Sequence, residues 1–354
     1  DTVTDPAVAY ESLEQLYTQG VQVVVGPETS SECDILRTFA DAHGMLLLSS
    51  SATAIPLAIP DDNLMRMTMD DSNQAAELAE LIIADGITSL ALLTRSDMYG
   101  EGLRNSFLQE YGALGGHVFM TGYCPRATGF FPEVAAQLGQ AVTTQVASIG
   151  ADSVGVLVVL YDEGEVLLQE AASVPGLTSV RWYGTDGMAR NTALLSNSTA
   201  LNVAHQTQFV CSQPARYTNE HYAVVSAAMQ AETGDEPRTF AVQSYDTLWL
   251  AALALRDTGG TGTVDEVRQA IRTNAFTHVG ATGPIIFNEA DDRAAGQYEF
   301  LKISASNTWA RILDVVPEAP TVISPTNMTV VSFTACWIAS AGATNYFIDV
   351  ATST

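Results

Sequence analysis

The chain has 354 residues, 47% of them hydrophobic, which is enough to bury a sizeable core in two or more domains. Forty acidic residues against fifteen basic ones give a formal net charge of -25, which repels phosphate backbones and anionic lipids and argues against nucleic-acid and membrane-surface partners. The longest apolar runs are far shorter than the roughly 20 residues that cross a bilayer, and we expect a folded, soluble chain whose signal peptide is absent or already removed.

Strand-like apolar runs alternate with helical patterns along most of the chain. Strands are predicted at 21–26, 45–50, 89–94, 117–122, 154–160, 180–184 and 208–211. Helices are predicted at 31–43, 74–84, 100–114, 217–232 and 240–257. This alternation predicts an α/β fold with parallel sheets covered on both faces. Because there are more strands than one compact doubly wound sheet of this size usually holds, we expect two lobes.

The last third of the chain changes in character. Residues 283–304 predict a hairpin, and the acids in its turn, within "NEADDR", predict a solvated turn because their spacing fails the calcium-loop pattern. Residues 317–354 read as a Pro-rich linker followed by short antiparallel strands, which resemble the opening strands of a fibronectin type III domain. The segment has too few strands to close a sandwich, so we expect it to be cut short or completed elsewhere.

Hydroxyl side chains follow two of the predicted strands. Ser30 and Ser31 begin a helix directly after the strand at 21–26, and "SSSATA", residues 49–54, follows the next strand. Each loop alone is explained by ordinary helix capping. Because ligands in open parallel sheets sit beyond the carboxyl ends of the strands, the two loops together predict a neutral cradle for a carboxylate.

Acidic and aromatic residues follow the strands of the second predicted lobe. Asp186 ends the strand at 180–184, Tyr161 ends the strand at 154–160, and Tyr99 ends the loop after the strand at 89–94. One unpaired carboxylate between two aromatic walls is suited to an ammonium group. Facing the hydroxyl loops, it predicts a site for a zwitterion. The alternative is that Asp186 only caps its own turn.

Sequence patterns for metal sites and catalysis are missing. The four cysteines have no C-x-x-C pair and no histidine partners at metal spacing, so zinc and other cofactors are not expected; whether Cys124 pairs with Cys211 stays open. No nucleophile elbow, zincin motif or phosphate loop is present, which argues against an enzyme on a doubly wound fold. Two N-glycosylation sequons, at Asn197 and Asn327, favour a location outside the cytoplasm.

The order of these pieces resembles the periplasmic-binding protein type I family, and most of all its leucine/isoleucine/valine-binding branch. Residues 1–313 carry the resemblance, in the stretches "VVGPETSSECD", "LLLSSSATAIPL", "MRMTMDDSNQ", "DMYGEGL", "YGTDG" and "GATGPIIFNEADDR". It implies two doubly wound lobes joined by a hinge. Lobe 1 would comprise 1–70 and 212–284, and lobe 2 would comprise 71–211 and 285–316, with 317–354 as the partial fibronectin-like segment.

The resemblance also implies a ligand site. Ser30 and Thr53 would hold an α-carboxylate. The backbone carbonyl of Ser51 and the carboxylate of Asp186 would receive an α-ammonium. The residues lining the cleft would be Asp71, Tyr99 and Tyr161.

Two departures from the family pattern stand out. The first strand, first helix and second strand of the family are expected to be missing from this sequence. Thr4 and Thr29 stand where many bacterial members have a disulfide, so the rigidity of the hydroxyl loop must have another source.

Three classes of function are consistent with these observations. The first is an extracellular or periplasmic solute-binding protein that delivers a free amino acid, aliphatic or small, to a membrane permease. The second is the ligand-binding ectodomain of a cell-surface receptor or surface-assembly protein, which the fibronectin-like tail favours. The third, an enzyme on a doubly wound fold, has no motif in its support.

Overall fold

The computed structural model describes residues 2–124, 128–294, 296–312, 321–326 and 334–338. Residues 1–310 form one compact unit and residues 311–354 a second. In the second unit, β11 (Thr321–Thr326) pairs antiparallel with β12 (Thr334–Ile338). The first unit contains two separate sheets.

The smaller sheet is parallel; we call the part of the first unit built around it lobe 1 and the part built around the larger sheet lobe 2. Its strands are β1 (Val23–Val25), β2 (Leu46–Ser49) and β3 (Leu64–Arg66), in the order β1-β2-β3. The side chains of β2 alternate between two cores, with Leu47 on one face and Leu46 and Leu48 on the other. The first core is covered by α1 (Pro6–Thr18) and α2 (Ser30–His43), and the second by α10 (Thr239–Asp257) and α11 (Val264–Thr277). Helix α9 (Glu220–Thr233) packs beside α10.

The larger sheet has seven strands in the order β10-β9-β8-β7-β6-β4-β5 and belongs to lobe 2. The parallel strands are β4 (Ser89–Arg95), β5 (His117–Cys124), β6 (Val154–Val159), β7 (Arg181–Gly184) and β8 (Val210–Pro214). Two further strands, β9 (Tyr298–Ile303) and β10 (Trp309–Arg311), close one edge, with β9 antiparallel to β8. The helices of this part are α3 (Asp71–Ala84), α4 (Met98–Ala113), α5 (Phe131–Ile149), α6 (Gly164–Ala171), α7 (Thr192–Ser196) and α8 (Ser198–Gln206).

This architecture confirms the predicted α/β fold with parallel-sheet lobes. Both sheets lie in the single unit 1–310, so the predicted lobe boundaries, 1–70 with 212–284 and 71–211 with 285–316, stay a prediction. The identity of 317–354 as a fibronectin-like segment also stays a prediction, because most of it lies outside the described residues.

The predicted hairpin over 283–304 is wrong. Only Tyr298–Ile303 is a strand, and it pairs with β8. The preceding segment makes isolated bridges, Phe287 with Arg293 and Asp292 with Arg66. The apolar residues of β9 are buried against a strand that lies far away in sequence, which a local turn pattern cannot reveal.

The predicted solvated turn is also wrong. Asp291 and Asp292 are only 4% and 1% exposed. Asp292 pairs with Arg66, and Asp291 pairs with Arg268 and Arg272. Buried charges of this kind are stable only when they are paired.

Candidate functional site

The first hydroxyl loop is fixed by the start of α2. Thr29 caps the helix and forms a capping box with Glu32, which also accepts a hydrogen bond from the Thr2 hydroxyl. Ser30 is the first helical residue and is 2% exposed. Loop rigidity here therefore comes from the capping box, where the family pattern places a disulfide.

The two hydroxyl loops are hydrogen-bonded to each other. The Ser30 Oγ accepts a hydrogen bond from the backbone N–H of Ala54 at 3.2 Å. The Ser49 hydroxyl donates to the Pro27 carbonyl at 2.7 Å and accepts from the Ala52 N–H at 3.1 Å. The loops therefore form one preorganised surface in lobe 1, and the structure brings Ser30 close to the loop of Thr53, as predicted.

Ser51 and Thr53 differ in their surroundings. The Ser51 side chain is half-buried and donates to the carbonyl of Glu28 at 2.8 Å, within its own lobe. Thr53 is 1% exposed, and its carbonyl accepts the backbone N–H of Asp71, the first residue of α3, at 2.8 Å. This bond joins the hydroxyl surface of lobe 1 to the acidic side of the cleft.

Asp71 is a fully buried carboxylate. It is 0% exposed, and neither of its carboxylate oxygens accepts a hydrogen bond from any residue that the structure describes. Burial raises its pKa well above the usual range, and the nearby Asp186 raises it further. Thr53 and Arg66 oppose this rise only in part. A cation between the lobes would relieve this cost.

Asp186 forms no ion pair with the residues that the structure describes, but its carboxylate is hydrogen-bonded. Its Oδ1 accepts the Tyr99 hydroxyl at 2.6 Å and the Gly187 N–H at 2.9 Å. Burial raises the pKa of Asp186, while the hydrogen bond from Tyr99 and the nearby Gln74 side chain lower it. The sequence could not show the Tyr99 bond, because the phenol comes from another element, α4, where Tyr99 lies in the first turn.

Aromatic side chains surround the two acids. The rings of Tyr99 and Tyr161 stack with centroids 5.2 Å apart. Gly187 permits a close approach here, since a Cβ at this position would lie 2.4 Å from the Leu160 carbonyl oxygen and 2.8 Å from the Tyr161 ring. Tyr298 adds a buried hydroxyl without a hydrogen-bond partner among the described residues; burial raises its pKa most, followed by Asp186 and Asp71.

Sequence reasoning missed two arginines at the site. Arg95 lies 4.0 Å above the Tyr161 ring and pairs with Asp97 and Glu163, which fixes that aromatic wall. Arg66 is completely buried behind the second hydroxyl loop. A basic residue at the end of the otherwise apolar strand 64–66 was the signal for Arg66, but its partner Asp292 is 226 residues away.

Ion pairs join the two lobes beside the cleft. Arg238, at the start of α10, donates to Asp162 at 2.6 Å, and Arg190 donates to Glu236 at 2.6 Å. Asp162 and Arg190 follow β6 and β7 of the larger sheet, whereas Glu236 and Arg238 precede α10, which packs on the smaller one. The lobes are therefore in contact around the buried acids.

The described residues contain no group of three or more His, Cys, Asp or Glu side chains that could hold a metal ion. Cys124 and Cys211 are both buried free thiols in the core of lobe 2, which answers the open question of their pairing. Among the helices of the described ranges, none combines the length and apolarity needed to cross a membrane. The candidate site described above consists of hydroxyls, carboxylates and aromatic rings, with Arg66 and Arg95 behind them.

Comparison with known proteins places this geometry in a family. A model of the receptor family ligand binding region matches residues 1–306. An uncharacterized protein of Methanocaldococcus jannaschii is 25% identical over 322 residues, which are 86% of this chain and 75% of that protein.

Solved structures share the fold at low sequence identity. The leucine binding protein LivK of Thermotoga maritima has a TM-score of 0.72 and 15% identity over 88% of this chain and 85% of its own. The Streptococcus pneumoniae substrate binding protein LivJ in complex with isoleucine has a TM-score of 0.68 and 20% identity, over 88% and 85%. A solute binding protein of R. palustris in complex with benzoate has a TM-score of 0.69 and 15% identity, over 87% of this chain and 81% of its own. Because the family model covers most of the chain, this protein belongs to the family of receptor ligand-binding regions, which has the periplasmic-binding protein type I fold.

Proposed function

We propose that this protein is an extracytoplasmic solute-binding protein that closes its two lobes on a free α-amino acid for uptake by an ABC-type permease. The observation that carries the proposal is Asp71, a fully buried carboxylate without a hydrogen-bond partner among the described residues, joined through its backbone to the Thr53 loop. A carboxyl group buried in this way is ionised stably only beside a cation, and the hydroxyl loops beside it suit an anion. An α-amino acid supplies both charges on adjacent groups.

The residues take complementary roles in this proposal. Ser30 and Thr53 hold the α-carboxylate through hydroxyls and backbone N–H groups. Asp71 and Asp186 receive the α-ammonium together with the carbonyl of Ser51. Tyr99 and Tyr161 form an aromatic wall of the cleft. Asp71 thus becomes the main ammonium partner, because Asp186 already accepts two hydrogen bonds.

Structural neighbours bind two kinds of solute. One neighbour is in complex with isoleucine and another is in complex with benzoate. Benzoate has no ammonium group, and it would leave Asp71 buried beside a second anion. The acids of this cleft therefore favour an amino acid over an aromatic acid.

Calorimetry with the twenty amino acids tests the proposal. We expect at least one aliphatic or small amino acid, with L-leucine as the first probe, to bind. Its deaminated analogue 2-hydroxy-4-methylpentanoate should bind at least about 100-fold more weakly, because it leaves the buried carboxylates without a cation. Binding of benzoate in preference to every amino acid would contradict the proposal.

A second candidate is the ligand-binding ectodomain of a cell-surface receptor. The family description itself, a receptor ligand binding region, favours it, as would a fibronectin-like segment at 317–354. The ligand site would be the same in both cases. Co-purification with a permease would distinguish the two.

A further inference from the structure

Arg66 lies directly behind the second hydroxyl loop, at the end of β3. Its side chain is 0% exposed. The Nε and Nη2 atoms donate to the two carboxylate oxygens of Asp292 at 2.5 and 2.6 Å, a bidentate pair. The remaining nitrogen, Nη1, donates to the carbonyls of Ala52 at 3.2 Å and Ala54 at 2.8 Å.

Those two carbonyls flank Thr53 on either side. The N–H groups of Ala52 and Ala54 are held by Ser49 and Ser30, so both neighbours of Thr53 are bonded through N–H and C=O alike. The hydroxyl groups hold the loop from one side, and the guanidinium holds it from the other. Without Arg66, the carbonyls of Ala52 and Ala54 would lose a buried donor, and the loop would move to find another.

Asp292 connects this loop to a segment that runs between the two sheets. The backbone N–H of Arg66 donates to the Asp291 carbonyl at 2.9 Å, and the N–H of Arg293 donates to the Arg66 carbonyl at 2.9 Å. The same segment continues into β9 of the larger sheet. One guanidinium therefore bonds both the ligand loop and a crossover between the lobes.

We propose that Arg66 is the positioning residue of the site: paired with Asp292, it fixes the carbonyls of Ala52 and Ala54 so that Thr53 stays presented to the ligand next to Asp71. This inference rests on the proposed amino-acid site. It adds a residue that does not touch the ligand yet sets the affinity, and it links the shape of the carboxylate cradle to the crossover segment.

The test must separate positioning from stability, because Arg66→Met alone leaves Asp292 buried without its partner. The double variant Arg66→Met with Asp292→Leu removes both charges and fills the space with apolar atoms, a change that often preserves folding. Arg66→Lys is the conservative variant, since it keeps the charge near Asp292 but cannot serve both carbonyls. Thermal unfolding shows which variants are folded.

Two readouts are applied to each folded variant. The first is amide hydrogen exchange at Ala52 and Ala54, with Val156 in β6 as the reference amide. The second is the calorimetric Kd for L-leucine. In the double variant we expect exchange at both alanines to be at least about tenfold faster, with Val156 unchanged, and leucine affinity to fall at least about tenfold; Arg66→Lys should lie between.

A folded double variant with exchange and leucine affinity like those of the wild type would overturn the proposal. If the unmodified protein does not bind L-leucine, the amino acid found by the calorimetric screen replaces it as the probe. If none of the twenty amino acids binds, the proposed function is wrong, and the exchange of Ala52 and Ala54 still decides whether Arg66 positions the loop. If the double variant fails to fold, the same two readouts on Arg66→Lys decide: wild-type values in that variant would contradict the positioning role.

Discussion

The two sides of the cleft satisfy their polar groups in opposite ways. On the lobe 1 side, Ser30 and Ser49 bond the backbone of neighbouring loops, so this surface is complete without a ligand. On the lobe 2 side, Asp71 is buried with no hydrogen-bond partner among the described residues. In the proposed site, lobe 1 would therefore provide preorganised geometry, whereas lobe 2 would provide an electrostatic cost that binding of a cation relieves.

The largest effect is expected at Asp71. Asp71→Asn should weaken L-leucine binding by at least about 100-fold, near 3 kcal/mol, because the ammonium loses its buried counter-charge. At a pH above the raised pKa of Asp71, the ligand-free protein should at the same time become more stable, by about 1 to 2 kcal/mol, since an unpaired buried charge is removed. Calorimetry and urea unfolding measure the two effects.

The neighbouring residue provides a matched control for this substitution. Asp70 caps α3 through the Ser72 N–H and is only half-buried. Because Asn caps helices as well as Asp does, Asp70→Asn should change neither quantity by much. If Asp71→Asn behaved like Asp70→Asn, the comparison between the two sides of the cleft would be invalid.

A smaller effect is expected at Asp186. An Asn at this position can still accept the hydrogen bonds of Tyr99 and Gly187, so only the charge is lost. We expect Asp186→Asn to weaken L-leucine binding by about tenfold. Binding of 2-hydroxy-4-methylpentanoate, which has no ammonium, should change far less. Equal losses for both ligands would show that Asp186 does not face the ammonium.

On the lobe 1 side, Ser30→Ala tests the preorganised surface. The substitution removes a hydroxyl that we place on the ligand carboxylate and leaves the Ala54 N–H without its acceptor. L-leucine affinity should fall by about 1 to 3 kcal/mol, the usual cost of a charge-assisted bond. The deaminated analogue keeps its carboxylate and should lose a similar amount, in contrast to Asp186→Asn.

The dependence of stability on pH sharpens the comparison further. A carboxyl group whose pKa is raised in the folded state binds its proton more tightly there, so unfolding releases the proton and a rise in pH favours unfolding. Burial is the chief cause that raises the pKa of Asp62, in lobe 1, to about 6. Burial also raises the pKa of Asp71. Their stabilising contributions are complete below the ordinary value of 3.8 and are lost as the pH rises through the raised pKa values.

Urea unfolding of the ligand-free protein across this range of pH checks the sign. The free energy of unfolding should fall as the pH rises. Asp62→Asn should remove the portion of this fall that occurs below about pH 6, because that portion comes from deprotonation of Asp62. Asp71→Asn should likewise make the fall in unfolding free energy shallower, because the pKa of Asp71 is also raised by burial. A steeper fall in either variant would contradict the assignment.

The sequence predicted the hydroxyl loops because their signal is local. Hydroxyl residues that directly follow a strand lie beyond the carboxyl end of that strand, which places Ser30 at the start of α2 and Thr53 in the loop after β2. The α/β fold was predictable for the same reason, since each strand and helix carries its own periodicity.

The acidic side could not be assigned in this way. Asp70 and Asp71 are adjacent in sequence, and only the structure shows that the first caps α3 while the second is buried without a partner among the described residues. The bonds of Asp186 to Tyr99 and of Arg66 to Asp292 join residues 87 and 226 positions apart. Such pairings depend on how the elements pack, which no local pattern encodes.

The smallest effect is expected at Ser51, where the two parts of one residue have different roles. We assign its backbone carbonyl to the ammonium, whereas its hydroxyl donates to the Glu28 carbonyl at a half-exposed position. Ser51→Ala keeps the carbonyl, so L-leucine affinity should change by less than about 0.5 kcal/mol, which is typical of a partly exposed substitution. The substitution is also the matched control for Ser30→Ala, since both remove one hydroxyl from neighbouring loops. A loss at Ser51 as large as that at Ser30 would place the Ser51 hydroxyl on the ligand and move the carboxylate cradle toward the mouth of the cleft.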